Sequence, residues 1–157
     1  MKTYDKRAAQ HLLTVRGEYI LTNNDANNID VLRIVSENST DSDSSNTVIK
    51  TIDIQGKGMV CSLVFRDVIY IGCRDGILLE LCAKNFELTK EMATNFTISC
   101  IAQFNDNTLI IAHTIGTGYL DSRAKITVVS VKSNDFEEIC SSLVATGDIN
   151  KILVSTT

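Results

Sequence analysis

Two histidines, five cysteines, one Gly-x-Gly and one acid–hydroxyl–cation triplet are the places where this 157-residue chain could do chemistry. His11 and His113 lie 102 residues apart in sequence, whereas acid–base or metal work needs such a group close to a partner. His113 closes an apolar run and reads as a hydrogen-bonded rim residue. The cysteines, Cys61, Cys73, Cys82, Cys100 and Cys140, are separated by 12, 9, 18 and 40 positions. That spacing holds no CxxC pair and no zinc pattern, so reduced, buried thiols are expected. Gly116-Thr117-Gly118-Tyr119 lacks both a third glycine and a following Lys-Ser/Thr, and reads as a loop, not a phosphate cradle. Asp121-Ser122-Arg123 offers a carboxylate, a hydroxyl and a cation with no general base beside them. No catalytic residue, metal site or cofactor is therefore expected.

The composition narrows the partners. Fifteen Lys and Arg against 19 Asp and Glu give a net charge of −4, which argues against a broad basic groove for nucleic acid, though not against a local basic patch. Apolar residues make up 44%, enough for a core, and there is no proline or tryptophan. Met1–Gln10 lacks a signal-type apolar stretch, and runs such as Leu109–Ala112 are too short to cross a bilayer. With five unpaired thiols, these features predict a cytoplasmic or nuclear protein with no membrane association.

The elements that would position these residues come from a repeat. Met59-Val-Cys-Ser-Leu-Val-Phe65 aligns with Ile98-Ser-Cys-Ile-Ala-Gln-Phe104 at an offset of 39, placing Cys61 on Cys100 and Phe65 on Phe104. A polar pair follows each Phe, Arg66-Asp67 or Asn105-Asp106, and then a β-rich run, Val68–Ile71 or Thr108–Ile111. Arg16-Gly17 before Tyr19–Leu21 and Gly147-Asp148 before Lys151–Val154 repeat the pattern. Within each unit the apolar period is two, as in Met59, Cys61, Leu63 and Phe65. Arg74-Asp75-Gly76 joins Val68–Cys73 to Ile77–Cys82 with a hairpin signal. Four short strands per unit of about 40 residues is propeller-blade arithmetic. Lys6–Leu13 and Cys82–Met92 are the two stretches that also read as helix.

Met59–Met92 resembles a WD40 repeat in its inner strand, tight turn, second strand, Asp75-Gly76 and third strand. The resemblance extends over three units and a half-length fourth. Gly-His dipeptides are absent, and Leu81-Cys82 stands where the family carries Trp-Asp. Asp75 matches the aspartate that the family uses in a buried hydrogen-bond network. The expectation is an all-β, partial WD40-like propeller of about three four-stranded antiparallel blades plus half a blade. Its units are 11–55, 56–94, 95–141 and 142–157 within one incomplete domain, 1–157. The resemblance implies a non-enzymatic protein–protein interaction scaffold, with partner-binding residues Asn23, Asn24, Lys57, Arg74, Asp75, Tyr119 and Arg123 on the loop-bearing rim. A propeller-enzyme fragment and a small β-sandwich or barrel that binds a ligand are the alternatives.

The stretch 36–46 has eleven residues and no apolar side chain, so it reads as a solvated insertion. Ser42 and Ser44, set among Asp41 and Asp43, are its candidate phosphosites. An incomplete set of blades leaves apolar faces open, predicting edge-to-edge self-association or completion by another chain.

Overall fold

Turns set the strands. Arg16 and Gly17 have φ of 54° and 68°, and Arg66 has φ of 54°, left-handed values that suit tight hairpins between right-twisted strands. The computed structural model describes residues 12–34, 47–116, 123–147, 149 and 151–155. Among them every regular element is a strand: β1 Leu12–Val15, β2 Tyr19–Asn23, β3 Ile29–Arg33, β4 Val48–Ile52, β5 Met59–Phe65, β6 Val68–Cys73, β7 Ile77–Cys82, β8 Leu88–Ala93, β9 Thr97–Asn105, β10 Thr108–Ile115, β11 Arg123–Ser130 and β12 Glu137–Thr146. They form three four-stranded antiparallel sheets, β1–β4, β5–β8 and β9–β12, each a simple meander. These are blades of a partial β-propeller.

The chain divides into two compact units, Met1–Met59 and Val60–Thr157. In the first, Val15, Leu21, Ile29 and Val31 are fully buried. Asn23 fixes the following segment, accepting from the Met59 N–H and donating to the Met59 carbonyl, both at 2.8 Å. In the second unit the sheets pack face to face. Cys61, Tyr70 and Leu78 from one meet Ile98, Ile101, Leu109, Ile111 and Val129 from the other, with Phe136 at the margin. Gly72 is required there: a Cβ on it would stand 2.5 Å from Ile98 Cγ2 and 2.6 Å from Cys61 Sγ.

Cys82–Met92 is a turn followed by β8, so the fourth strand expected of this unit forms and the helical reading of the stretch does not hold; Leu88 and Met92 stand opposite Leu81 and Leu78 across the ladder. One detail departs from the expected pattern. The expected strand at Lys151–Val154 is not formed; those residues carry no ladder, and β12 runs on through Thr146 instead. A lone strand has no partner to satisfy its backbone groups, whereas extending β12 pairs Leu143, Ala145 and Thr146 with β11. Polar loop 36–46, with Ser42 and Ser44, lies outside the described residues, as does the helix-compatible run 6–11.

Candidate functional site

One end of the second unit gathers the β6–β7 turn, the β8–β9 connection and the start of β11. Cys73 accepts the Gly76 N–H at 3.1 Å, closing a two-residue turn whose tips, Arg74 and Asp75, are exposed. The turn backbone is tied to the β8–β9 connection: Thr94 N–H and its hydroxyl both donate to the Gly76 carbonyl, and the Thr97 hydroxyl donates to the Arg74 carbonyl. A fixed main chain thus carries two charged side chains into solvent. Arg123 is exposed at the start of β11, opposite Ile115. Two residues on, the Lys125 ammonium stands 5.9 Å from the centre of the Phe96 ring.

Below this rim lies a buried histidine. His113 is 1% exposed and contacts the Phe96 carbonyl at 3.3 Å through Nδ1 and the Thr127 hydroxyl at 3.0 Å through Nε2. A carbonyl only accepts, so Nδ1 carries the proton and Nε2 accepts from Thr127. Burial lowers the His113 pKa below its ordinary value; the Phe96 carbonyl works against this and Lys125 with it. His113 is hydrogen-bonded as the sequence suggests, but it sits in the interior and not on the rim. It orders the connection that holds the rim.

The predicted site residues fall in different places. Arg74, Asp75 and Arg123 are brought to one end of the second unit. Asn23 and Asn24 do structural work in the first: Asn24 Oδ1 accepts from Ala26 and Asn28 N–H at 3.0 and 3.1 Å, and its amide donates to Asp30. Lys57 is half-buried there, with its N–H on the Ile54 carbonyl. Tyr119 lies outside the described residues. Asp75 does not enter a buried network, a correction to what the family resemblance implies, because the turn places it in solvent.

The buried polar network is elsewhere, and sequence reasoning passed over it. Glu80 and Lys90 pair at 3.2 Å with side chains only 10% and 15% exposed. The Thr89 hydroxyl donates to Glu80 Oε1 at 2.8 Å, and Lys90 also donates to the Val131 carbonyl at 3.1 Å. The available signal was an acid inside the apolar run Ile77–Cys82 and a lysine ten residues on, opposite it across the ladder. Burial, with the Glu80 charge adding to it, pushes the neighbouring Tyr70 hydroxyl up to about 12. Among the described residues no group of three His, Cys, Asp or Glu could hold a metal. No helix among them is long and apolar enough to cross a membrane.

This arrangement defines a class, a propeller-type β protein, and the comparisons agree at the level of fold. No family model matches the chain, and no curated protein matches it. Among solved structures it is similar to the computationally designed Ika8 protein, with a TM-score of 0.67 and 10% identity over 92% of this chain and 39% of that one. It is also similar to the quinohemoprotein alcohol dehydrogenase ADHIIG of Pseudomonas putida HK5, with a TM-score of 0.60 and 16% identity over 87% of this chain and 20% of that one. A third similarity is to a chain of the S. cerevisiae assembly of Dbp5 bound to Nup159, Gle1, IP6 and ADP, with a TM-score of 0.51, 10% identity and coverages of 82% and 36%. The chain spans less than half the length of these structures. At such identities the likeness is one of architecture.

Proposed function

We propose that the chain is a non-enzymatic protein–protein interaction scaffold built on divergent WD40-like repeats, working in the cytoplasm or nucleus. The observation that carries this reading is the Arg74-Asp75 turn. Its side chains are exposed while its backbone is tied at Gly76 and Arg74 to the Thr94–Thr97 connection. Presenting polar anchors on an immobile main chain lowers the ordering cost of association. Arg123 at the same end adds a second guanidinium, a side chain favoured as an interface anchor. Two cations beside one carboxylate suit an acidic or mixed polar protein surface. The five free cysteines support a reducing compartment.

Affinity capture of the full chain, compared with Arg74→Glu/Arg123→Glu, tests the proposal. A stoichiometric protein partner should be held by the parent chain and lost by the folded double variant. Equal retention by both would remove the rim from the binding surface, and a chain that holds no protein would remove the scaffold reading.

A further inference from the structure

β12 has an edge that no other strand meets. It forms the outer margin of β9–β12, with β11 on one side and, among the described residues, no strand on the other. At ten residues, Glu137–Thr146, it is the longest strand of the three sheets. Ile139 is 57% exposed, Leu143 60% and Val144 51%, and Cys140, Ser141 and Ser142 between them are exposed as well. The outward N–H and C=O groups of such an edge are a template for another extended chain.

Charge indicates which chain fits. The equivalent outer strands are charged at their centres, β4 with Lys50 and β8 with Lys90 and Glu91. Paired with its own copy about a two-fold axis, either would set a charge opposite itself, which opposes association. β12 confines its charges to its first two residues, Glu137 and Glu138, both exposed. Beside its far end stand two cations on β11, where Arg123 pairs with Thr146 and Lys125 with Leu143. A second β12 laid antiparallel carries its Glu137 and Glu138 to that basic end. Two strand spacings, about 10 Å between main chains, then separate acids from cations, a gap that long side chains span. Parallel pairing would instead set the acids of the two copies side by side.

We propose that β12 pairs antiparallel with β12 of a second copy of this chain, about a two-fold axis at Ser141. This goes beyond the rim reading and does not rest on it. The ladder to β11 runs unbroken over Cys140–Leu143, between bulges at Ile139 and Val144, so the axis falls on the regular stretch. It sets Ile139 of each copy beside Leu143 of the other, joining the two largest exposed apolar side chains of the strand. Full overlap supplies up to about ten main-chain hydrogen bonds, as many as an ordinary interface carries. The contact is isologous, so assembly stops at two copies. One strand pair buries little area, so dimerisation should depend on concentration in the micromolar range.

Light scattering of the purified full chain under reducing conditions, from micromolar to hundreds of micromolar, reads the outcome. The mass should rise from 17.3 kDa toward twice that value and no further. Leu143→Glu, opposite Lys125 within its own sheet, should hold the chain at the single-chain mass. Glu137→Lys/Glu138→Lys should weaken dimerisation, and adding Arg123→Glu should recover part of it. Far-UV circular dichroism checks that the strands persist, and Ile139→Lys replaces Leu143→Glu if that variant unfolds. A parent chain that stays monomeric throughout overturns the proposal, as does a mass that climbs past two copies. So does a folded Leu143→Glu chain that dimerises like the parent, and so does a reversal of Glu137 and Glu138 that leaves dimerisation untouched.

Discussion

Lys90 donates to the carbonyl of Val131 at 3.1 Å, passing from the outer strand of one sheet to the end of β11 in the next. The same ammonium is 3.2 Å from Glu80 Oε2 and 5.7 Å from the centre of the Phe136 ring. One cation thus closes an ion pair inside its own blade and fastens the neighbouring one.

Removing only one member of this pair should be costly. Lys90→Met leaves the Glu80 carboxylate buried without its counter-charge, and such losses run to about 3–5 kcal/mol. The double replacement Glu80→Leu/Lys90→Met removes both charges and should recover most of that, because buried pairs often only break even against apolar residues. Equilibrium urea unfolding measures both. A single variant as stable as the parent would mean that the pair is hydrated and structurally idle.

His113 should make stability depend on pH. Its folded pKa lies below the unfolded value because burial disfavours the charged ring. The unfolded chain then binds the proton more tightly, so the His113 contribution is complete above about pH 6.5 and is lost as the pH falls from there toward the folded pKa. Melting temperature should drop on acidification from neutral pH, and His113→Gln should flatten that part of the profile. Thr127→Val removes the donor to Nε2 and should cost about 1–3 kcal/mol at neutral pH. A parallel fall in parent and His113→Gln would place the acid sensitivity in the carboxylates.

Much of the architecture was legible because the repeat and the turns act locally. Met59–Phe65, Val68–Cys73 and Ile77–Cys82 form strands with the bounds that their period and the Asp75-Gly76 turn set. Bulges were not legible. Phe104 is the extra residue of β9 between Gln103 and Asn105, and it is 56% exposed, while its repeat mate Phe65 packs on the core. Ile139 and Val144 are likewise the unpaired residues of β12. A bulge is a choice made by the partner strand, so one strand's sequence does not announce it. The exposed turn that carries Arg74 and Asp75 was legible, because Asp-Gly announces a hairpin tip. The rest was hidden where it depends on cross-strand neighbours, as at Glu80 and Lys90 or His113 and Thr127. The hydrogen bonds of Asn23 and Asn24 were hidden as well, because an amide at a turn can satisfy backbone groups that the sequence does not mark.

The cysteines should react in order of burial. Cys61 is buried, and burial, with the Cys100 and Cys73 thiols beside it, pushes its pKa up to about 12. Almost none is thiolate near pH 8, and the thiolate is the nucleophile. Cys140 on β12 is exposed. Iodoacetamide should alkylate Cys140 first and reach Cys61 and Cys73 only when denaturant opens the sheets, as peptide mass spectrometry would show. Early labelling of Cys61 in the native chain would mean that the two sheets of the second unit part readily.

Among Gly17, Gly56, Gly58, Gly72, Gly76 and Gly147, Gly76 should be the least replaceable. Its φ is +87°, and a Cβ there would lie 2.5 Å from the Thr94 carbonyl oxygen and 2.7 Å from that of Phe96. Both obstacles are main-chain atoms, and the Phe96 carbonyl and the Thr94 N–H are hydrogen-bonded, so neither can swing aside as a side chain could. Gly76→Ala therefore combines left-handed strain of about 1–2 kcal/mol with overpacking of about 1–3 kcal/mol. Gly17 provides the control, since it also has positive φ, +68°, but nothing lies within 4 Å of its added Cβ. Gly17→Ala should show the strain alone. The difference between the two in urea unfolding isolates the crowding at the rim. Because Thr94 fastens Gly76 and Thr97 fastens Arg74 in this same turn, Gly76→Ala should also weaken capture of a rim-binding partner before it unfolds the chain. Equal costs at the two glycines would show that the turn and the β8–β9 connection are not held together, and the fixed presentation of Arg74 and Asp75 would go with them.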